Sequence, residues 1–135
     1  MLRKRNRLPL ISIASDDHER LTELALASLG KAPGAALLLR ELSRAKVTPA
    51  VPDNVVGMQS QVTFECDGAR YADVTLVYPT DADFAKGRIS VLTPVGAMLL
   101  GLAEGQRIAW RDDDGRARLI EVADVSAPER FAPTL

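Results

Sequence analysis

The sequence has few of the residues that mark several functional classes. One cysteine, Cys66, and one histidine among 135 residues exclude an internal disulfide and a Cys/His zinc site. Aromatic residues make up only 4% of the chain, too few for a platform that stacks single-stranded nucleic acid. The formal net charge is −1 at pH 7, so the chain as a whole is not a basic nucleic-acid binder.

Long hydrophobic runs are also absent. No run approaches the roughly 20 apolar residues of a membrane helix. The basic start resembles the head of a signal peptide, but the run 8–14 is short, contains Pro9 and leads into an acidic stretch. We therefore expect no membrane association and no secretory signal. A single cysteine is typical of a reducing compartment, and the cytoplasm is the predicted location.

The composition that remains, 47% hydrophobic and 26% charged, is that of a folded protein. Residues 1–50 carry nine Lys/Arg and five Asp/Glu, whereas residues 51–135 carry eight and thirteen. A Pro-rich stretch lies at this change of charge. It predicts a division into a basic segment (1–14), a helical hairpin (15–47), a linker (48–54), a sheet domain (55–126) and a tail (127–135).

Helical spacing dominates the first part. Asp16 and Glu19 form a candidate capping box for a first helix, and a second helix is predicted to run to Val47. A Gly/Pro turn over 30–34 separates them, so they are predicted to form an antiparallel hairpin with helices of about 13 residues, roughly 20 Å long. The apolar stripes that would face each other are Leu21, Leu24, Ala25 and Leu29, and Leu38, Leu42 and Ala45.

The second part changes to strand-like alternation. It predicts an antiparallel sheet with one short helix packed on a face, and thus an α+β fold. Asp67-Gly68 is a hairpin signal, and Asp112-Asp113-Asp114-Gly115 is a second turn, read as a solvated hairpin and not as a Ca²⁺ loop. The predicted strands cover 61–66, 71–78, 88–93, 107–110 and 118–125, and the helix covers 95–102.

Four blocks of sequence resemble a known family. Residues 89–102, Ile-Ser-Val-Leu-Thr-Pro-Val-Gly-Ala-Met-Leu-Leu-Gly-Leu, together with 56–62, 75–79 and the Gly-turned hairpin after Gly105, resemble the C-terminal domain of the bacterial Gre transcript-cleavage factors. Leu-Val-Tyr-Pro at 76–79 and the short helical start are more similar to the regulator of nucleoside diphosphate kinase family. The resemblance spans about residues 10–125.

The resemblance implies an FKBP-like domain and, before it, a truncated coiled coil. In Gre factors a long coil enters the secondary channel of RNA polymerase, and acidic residues at its tip help to hold a catalytic Mg²⁺. The tip of this hairpin, Lys31, Ala32 and Pro33, has no carboxylate for Mg²⁺. Many Gre factors also carry an acid two positions before the proline that opens the short helix, where this chain has Leu92. We therefore expect no transcript cleavage and no cofactor.

The predicted function is a non-enzymatic transcription regulator that binds RNA polymerase, reaches nucleic acid only through it, and competes with Gre-type factors. The alternative is a regulator or partner of nucleoside diphosphate kinase, acting directly or indirectly. Kinase and prolyl isomerase chemistry are not expected, since the sole histidine, His18, lies beside acids and isomerase activity would rest on fold analogy alone. The predicted partner-binding residues are Asp81, Asp83, Leu92, Thr93, Pro94, Val95 and Gly96.

Overall fold

The structure, a computed structural model, describes residues 8–128. It is a mixed α+β fold, as predicted. The helices and strands follow in the order β1 (Ser12–Ala14), α1 (Ser15–Ser28), α2 (Ala35–Arg44), β2 (Lys46–Thr48), β3 (Gln61–Cys66), β4 (Ala69–Val77), β5 (Arg88–Ser90), α3 (Pro94–Leu99), β6 (Arg107–Arg111) and β7 (Ala117–Ser126). None of the helices within this range combines the length and hydropathy of a membrane span.

The main sheet has the strand order β5-β4-β3-β7-β6. Its central strand β3 pairs antiparallel with both neighbours, and β6 pairs antiparallel with β7. β5 instead pairs in parallel with β4, from Thr75–Arg88 to Val77–Ser90. The prediction of a wholly antiparallel sheet is therefore wrong at this edge. The connection 78–87 includes two single 3-10 turns and brings the chain back beside Thr75, so that β5 runs in the same direction as β4. The sequence could not show this, because alternation along a strand carries no information about its direction.

The Asp67-Gly68 turn is confirmed. Cys66 pairs with Ala69 across it, and the two turn residues have φ values of 52° and 86°. Both central residues of a type I′ hairpin turn need positive φ, which Asp and Gly tolerate better than other residues.

The helical part starts and ends differently from the prediction. α1 begins at Ser15, and no side chain caps it, so the capping box of Asp16 and Glu19 does not form. α2 ends at Arg44, and the residues after it form β2, which pairs in parallel with β1. Strands of three residues are too short to show alternation, and so neither could be recognised from the sequence.

His18 connects the two helices. Its Nε2 lies 2.9 Å from the Leu42 carbonyl oxygen, so the first turn of α1 contacts the last turn of α2. The side chain is half-buried.

One continuous core joins the helices to the sheet. Leu21 of α1 and Leu38 of α2 belong to the same buried cluster as Leu76 of β4 and Met98 of α3. The Pro-rich stretch that follows β2 connects the two parts along the surface. The domain division at 48–54 stays a prediction, but the parts on either side of it are packed together.

Candidate functional site: two grooves at the start of helix α3

The segment predicted to bind a partner forms the start of α3. Pro94 occupies the first turn, where its fixed φ suits a helix and its missing N–H costs nothing. The Thr93 hydroxyl is the cap: it donates to the Ser90 carbonyl oxygen (2.7 Å) and accepts from the Gly96 N–H (3.0 Å). These bonds fix Thr93 and Pro94 on the rim of the sheet.

Gly96 lets α3 approach β5 closely. A Cβ added at this position would lie 2.9 Å from the Ser90 carbonyl carbon and nearer still to its oxygen. The absence of a side chain at Gly96 is therefore what allows this helix to lie close to the sheet. Gly96 and Leu92 are buried, while Thr93, Pro94 and Val95 are half-buried and present their side chains at the surface.

The turn between α1 and α2 packs against this same segment. Lys31 and Pro33 are exposed and Ala32 is half-buried. Gly34 is buried, and its N–H donates to the Leu92 carbonyl oxygen at 2.7 Å. The sequence analysis treated the tip of the hairpin and the segment predicted to bind a partner as separate features, whereas the structure brings them into contact.

A groove of about 380 Å³, here called the first groove, opens beside this contact. It lies between α2 and the end of β6. Its apolar walls are Pro33, Leu37 and Pro94, and its cationic walls are Arg40 and Arg111. Pro33 and Pro94 are predicted site residues, and the other three were not predicted, because only the fold brings α2 next to β6.

Acidic residues of the β6–β7 turn form the rim of the first groove. Asp112 and Asp113 line it. The Asp112 carboxylate is engaged within the turn, since its Oδ1 accepts from the N–H groups of Asp114 (3.0 Å) and Arg116 (2.9 Å). Residues 112–115 thus form a hairpin turn, as predicted.

Trp110, the only tryptophan, lines the first groove from β6. The residue is 6% exposed, and its Nε1–H has no acceptor among residues 8–128. The Arg118 guanidinium lies 5.5 Å from the ring centre, within cation–π range. A buried donor without an acceptor costs about 1–3 kcal/mol, so this N–H is an unfavourable feature of the protein as it stands.

A second groove, of about 180 Å³, opens on the other side of the start of α3. Val95 lines it together with Phe84, which is 69% exposed. Phe64 and Tyr71 stack on each other in its wall, with ring centres 5.2 Å apart.

The loop 81–87 reaches the site through Phe84 rather than through its acids. Asp81 is exposed, and Asp83 is half-buried and pairs with Arg88 through backbone hydrogen bonds of 3.0 and 3.1 Å. Neither carboxylate lines one of the two grooves described above, although both were predicted to bind a partner.

Arg118 stands between the grooves and is held by Asp67. Its Nε donates to Asp67 Oδ2, and the Leu119 N–H donates to Oδ1 at 2.9 Å. These two hydrogen bonds hold the pKa of the Asp67 carboxyl below its ordinary value. Burial raises the pKa of the neighbouring Cys66 thiol, the Arg118 hydrogen bond opposes this, and the Asp67 charge adds to it. The net rise disfavours the reactive thiolate.

The lowered pKa of Asp67 predicts a pH-dependent contribution to stability. The carboxylate stabilises the fold above its unfolded pKa of about 3.9, and this contribution is lost as pH falls through the lower folded value. Asp67→Asn keeps a residue that tolerates positive φ but removes the charge. We expect the free energy of unfolding of wild type to exceed that of this variant by less than about 1 kcal/mol at pH 7, because the pair is partly exposed. The difference should shrink as pH falls below the unfolded pKa. Urea unfolding at several pH values measures it, and a pH-independent difference would contradict the ion-pair explanation.

The two parts of the chain match two family models. The model described as Transcription elongation factor, GreA/GreB, C-term matches residues 51–127, and the Rnk N-terminus model matches residues 9–47. The boundary between these matches coincides with the Pro-rich stretch after β2.

Individual relatives agree with these matches. The Regulator of nucleoside diphosphate kinase of Escherichia coli (strain K12) is 38% identical over 125 residues, which cover 87% of this chain and 89% of the relative. The solved structure of a prokaryotic transcription elongation factor GreA/GreB from Nitrosomonas europaea has 38% identity and a TM-score of 0.66, and the match covers 86% of this chain and 98% of that one. The chain therefore belongs to the family of regulators of nucleoside diphosphate kinase, whose C-terminal part is a GreA/GreB C-terminal domain.

Proposed function

We propose that this protein is a non-enzymatic transcription regulator that binds RNA polymerase through its Gre-like C-terminal domain. The observation that carries this proposal is the surface at the start of α3. There Thr93, Pro94 and Val95 present their side chains within the part of the chain that matches the GreA/GreB model. The loop with Asp81 and Asp83 adjoins this surface, since its Phe84 lines the second groove together with Val95.

The helical part supports a regulator without transcript-cleavage activity. We infer that α1 and α2 form a short antiparallel hairpin, a truncated coiled coil on an FKBP-like domain. With 14 and 10 residues they are about 21 and 15 Å long. The tip residues Lys31, Ala32 and Pro33 offer no carboxylate to a Mg²⁺ ion. Such a protein binds RNA polymerase in the cytoplasm and prevents Gre-type factors from binding. It needs no cofactor, and it contacts nucleic acid only through the polymerase.

Competition for the polymerase is the direct test. We expect Gre-stimulated cleavage on a stalled elongation complex to fall as this protein is added, and the protein alone to cleave nothing. Val95→Asp should raise the concentration for half-inhibition by about tenfold or more, because it places a charge in a contact surface. Val47→Asp is the matched control, since Val47 is 46% exposed on β2, away from both grooves. Undiminished cleavage at a large excess of wild type in low salt would reject competition.

A second candidate function comes from the name of the relative in Escherichia coli. That protein is called a regulator of nucleoside diphosphate kinase and aligns with most of this chain. A direct effect predicts that kinase turnover changes when the two purified proteins are mixed. Unchanged turnover would exclude direct regulation and would leave an effect through transcription.

A further inference from the structure

We propose that the first groove binds a protein segment of RNA polymerase in which a carboxylate lies beside an apolar side chain. This inference rests on the proposed function and adds to it the place and the chemistry of one contact. It places this contact between α2 and β6, next to the surface at the start of α3.

The apolar side of the groove is rigid. Pro33 and Pro94 have fixed φ angles, and the hydrogen bond from Gly34 to the Leu92 carbonyl oxygen ties their backbones together. Leu37 of α2 completes this wall. A rigid wall loses little conformational entropy when a partner binds, so it suits an apolar side chain of the partner.

The groove also offers two arginines that are not engaged by a close carboxylate. Arg40 Nε lies 3.9 Å from the nearest carboxylate oxygen, that of Glu41, and Arg44 already binds Glu41 through three hydrogen bonds of 2.7–3.1 Å. Arg111 bonds the Gly115 carbonyl oxygen at 2.8 Å and forms no ion pair within residues 8–128. Guanidinium groups bind carboxylates through paired, charge-assisted hydrogen bonds, so an acidic side chain between α2 and β6 fits this arrangement.

Trp110 adds an aromatic surface beside the two arginines. Its ring lines the groove, whereas its Nε1–H is buried and faces no acceptor among the described residues. The ring therefore extends the apolar surface that Pro33, Leu37 and Pro94 offer to a partner.

The acidic rim of the first groove argues that the bound anionic group belongs to a protein and not to the phosphate backbone of a nucleic acid. Asp112 and Asp113 line the same groove as the two arginines. A polyphosphate backbone would place several negative charges near these acids, whereas a protein segment can present one carboxylate to the arginines and none to the rim.

Charge reversal in the groove tests the proposal. The full chain is immobilised, and binding of core RNA polymerase is measured at low and moderate salt. The double variant Arg40→Glu/Arg111→Glu should bind at least about 30-fold more weakly at low salt, with a smaller loss as salt rises. Arg107→Glu is the matched control, because Arg107 is exposed on β6 outside the groove, and it should change affinity less than about twofold.

A second variant tests the apolar wall. Leu37→Ala removes most of a half-buried side chain from the groove, and it should weaken polymerase binding about fivefold. Thermal unfolding of every variant shows that it is folded at the assay temperature. Wild-type affinity in both the double variant and Leu37→Ala would overturn the groove proposal and leave polymerase binding intact. Absence of binding by wild type would overturn both proposals.

The fluorescence emission of Trp110 tests whether nucleic acid, instead of a protein segment, binds in the first groove. We expect no change when a single-stranded oligonucleotide or a DNA duplex is added to the protein alone. A saturable change that disappears in the arginine double variant would assign the groove to nucleic acid and overturn the proposal of a protein segment.

Discussion

Leu38→Asp is expected to unfold the helical part and the sheet together. Leu38 lies on α2 with no exposed surface, within the cluster that also contains residues of the main sheet. A buried charge without a partner costs several kcal/mol, against a total stability of about 5–15 kcal/mol for a small domain. The loss should therefore reach both parts of the chain.

Two probes follow the two parts in a denaturant titration. Far-UV circular dichroism reports mainly the helices, and the emission of Trp110 reports β6 in the main sheet. We expect both signals to shift together to a much lower midpoint in Leu38→Asp. Ala36→Asp, an exposed change on the same helix, should shift them little. A lost helical signal with an unchanged Trp110 transition would instead show that residues 15–47 and 55–126 fold independently.

Gly96→Ala is expected to destabilise the protein by about 3 kcal/mol, because the added methyl group has no space. The new Cβ would overlap the backbone of Ser90, which cannot move without disturbing β5 and its pairing with β4. The start of α3 would be displaced, and with it the surface proposed to bind the polymerase. We therefore expect a lower urea midpoint and weaker competition with Gre-type factors.

Gly57→Ala is the matched control for this prediction. A Cβ at Gly57 would have its nearest neighbours at 3.7 and 3.8 Å, which are ordinary contacts, and its φ lies outside the left-handed region. This variant should match wild type or exceed it slightly, by up to about 1 kcal/mol, since alanine restricts the unfolded chain. Equal stability of Gly96→Ala and Gly57→Ala would contradict the close packing of α3 on β5.

Local patterns were sufficient for much of the fold. The alternation in 61–66 predicted β3 with its observed ends, and Asp67-Gly68 predicted the turn that follows. The two stripes that include Leu21 and Leu38 identified the buried faces of α1 and α2. The prediction was wrong at Leu29, which lies past the end of α1 and is 43% exposed. Each of these signals depends on neighbours within about ten residues, so the sequence contains it directly.

The limits of this reasoning lie in the pairing of distant segments. The parallel pairs β1–β2 and β4–β5 were missed, because strands of three residues have no clear period and alternation does not encode direction. The candidate site also depends on residues that are distant in the sequence. Pro94 could be singled out from its sequence block, but its place beside Pro33 and Trp110 depends on contacts between residues far apart in the chain.

The sequence by itself determined the α+β class, most of the helices and strands, the absence of carboxylates from the tip, and the family. Only the tertiary structure decided that the turn between α1 and α2 packs on the segment that starts α3 and that α2 and β6 enclose a groove with two arginines and a buried tryptophan. The physical reason is the shared core. Burial of Leu38 against the domain draws the helices onto it, and at Gly34 and Gly96 the lack of a side chain lets the backbones meet, so these distant residues come together only when the whole chain folds.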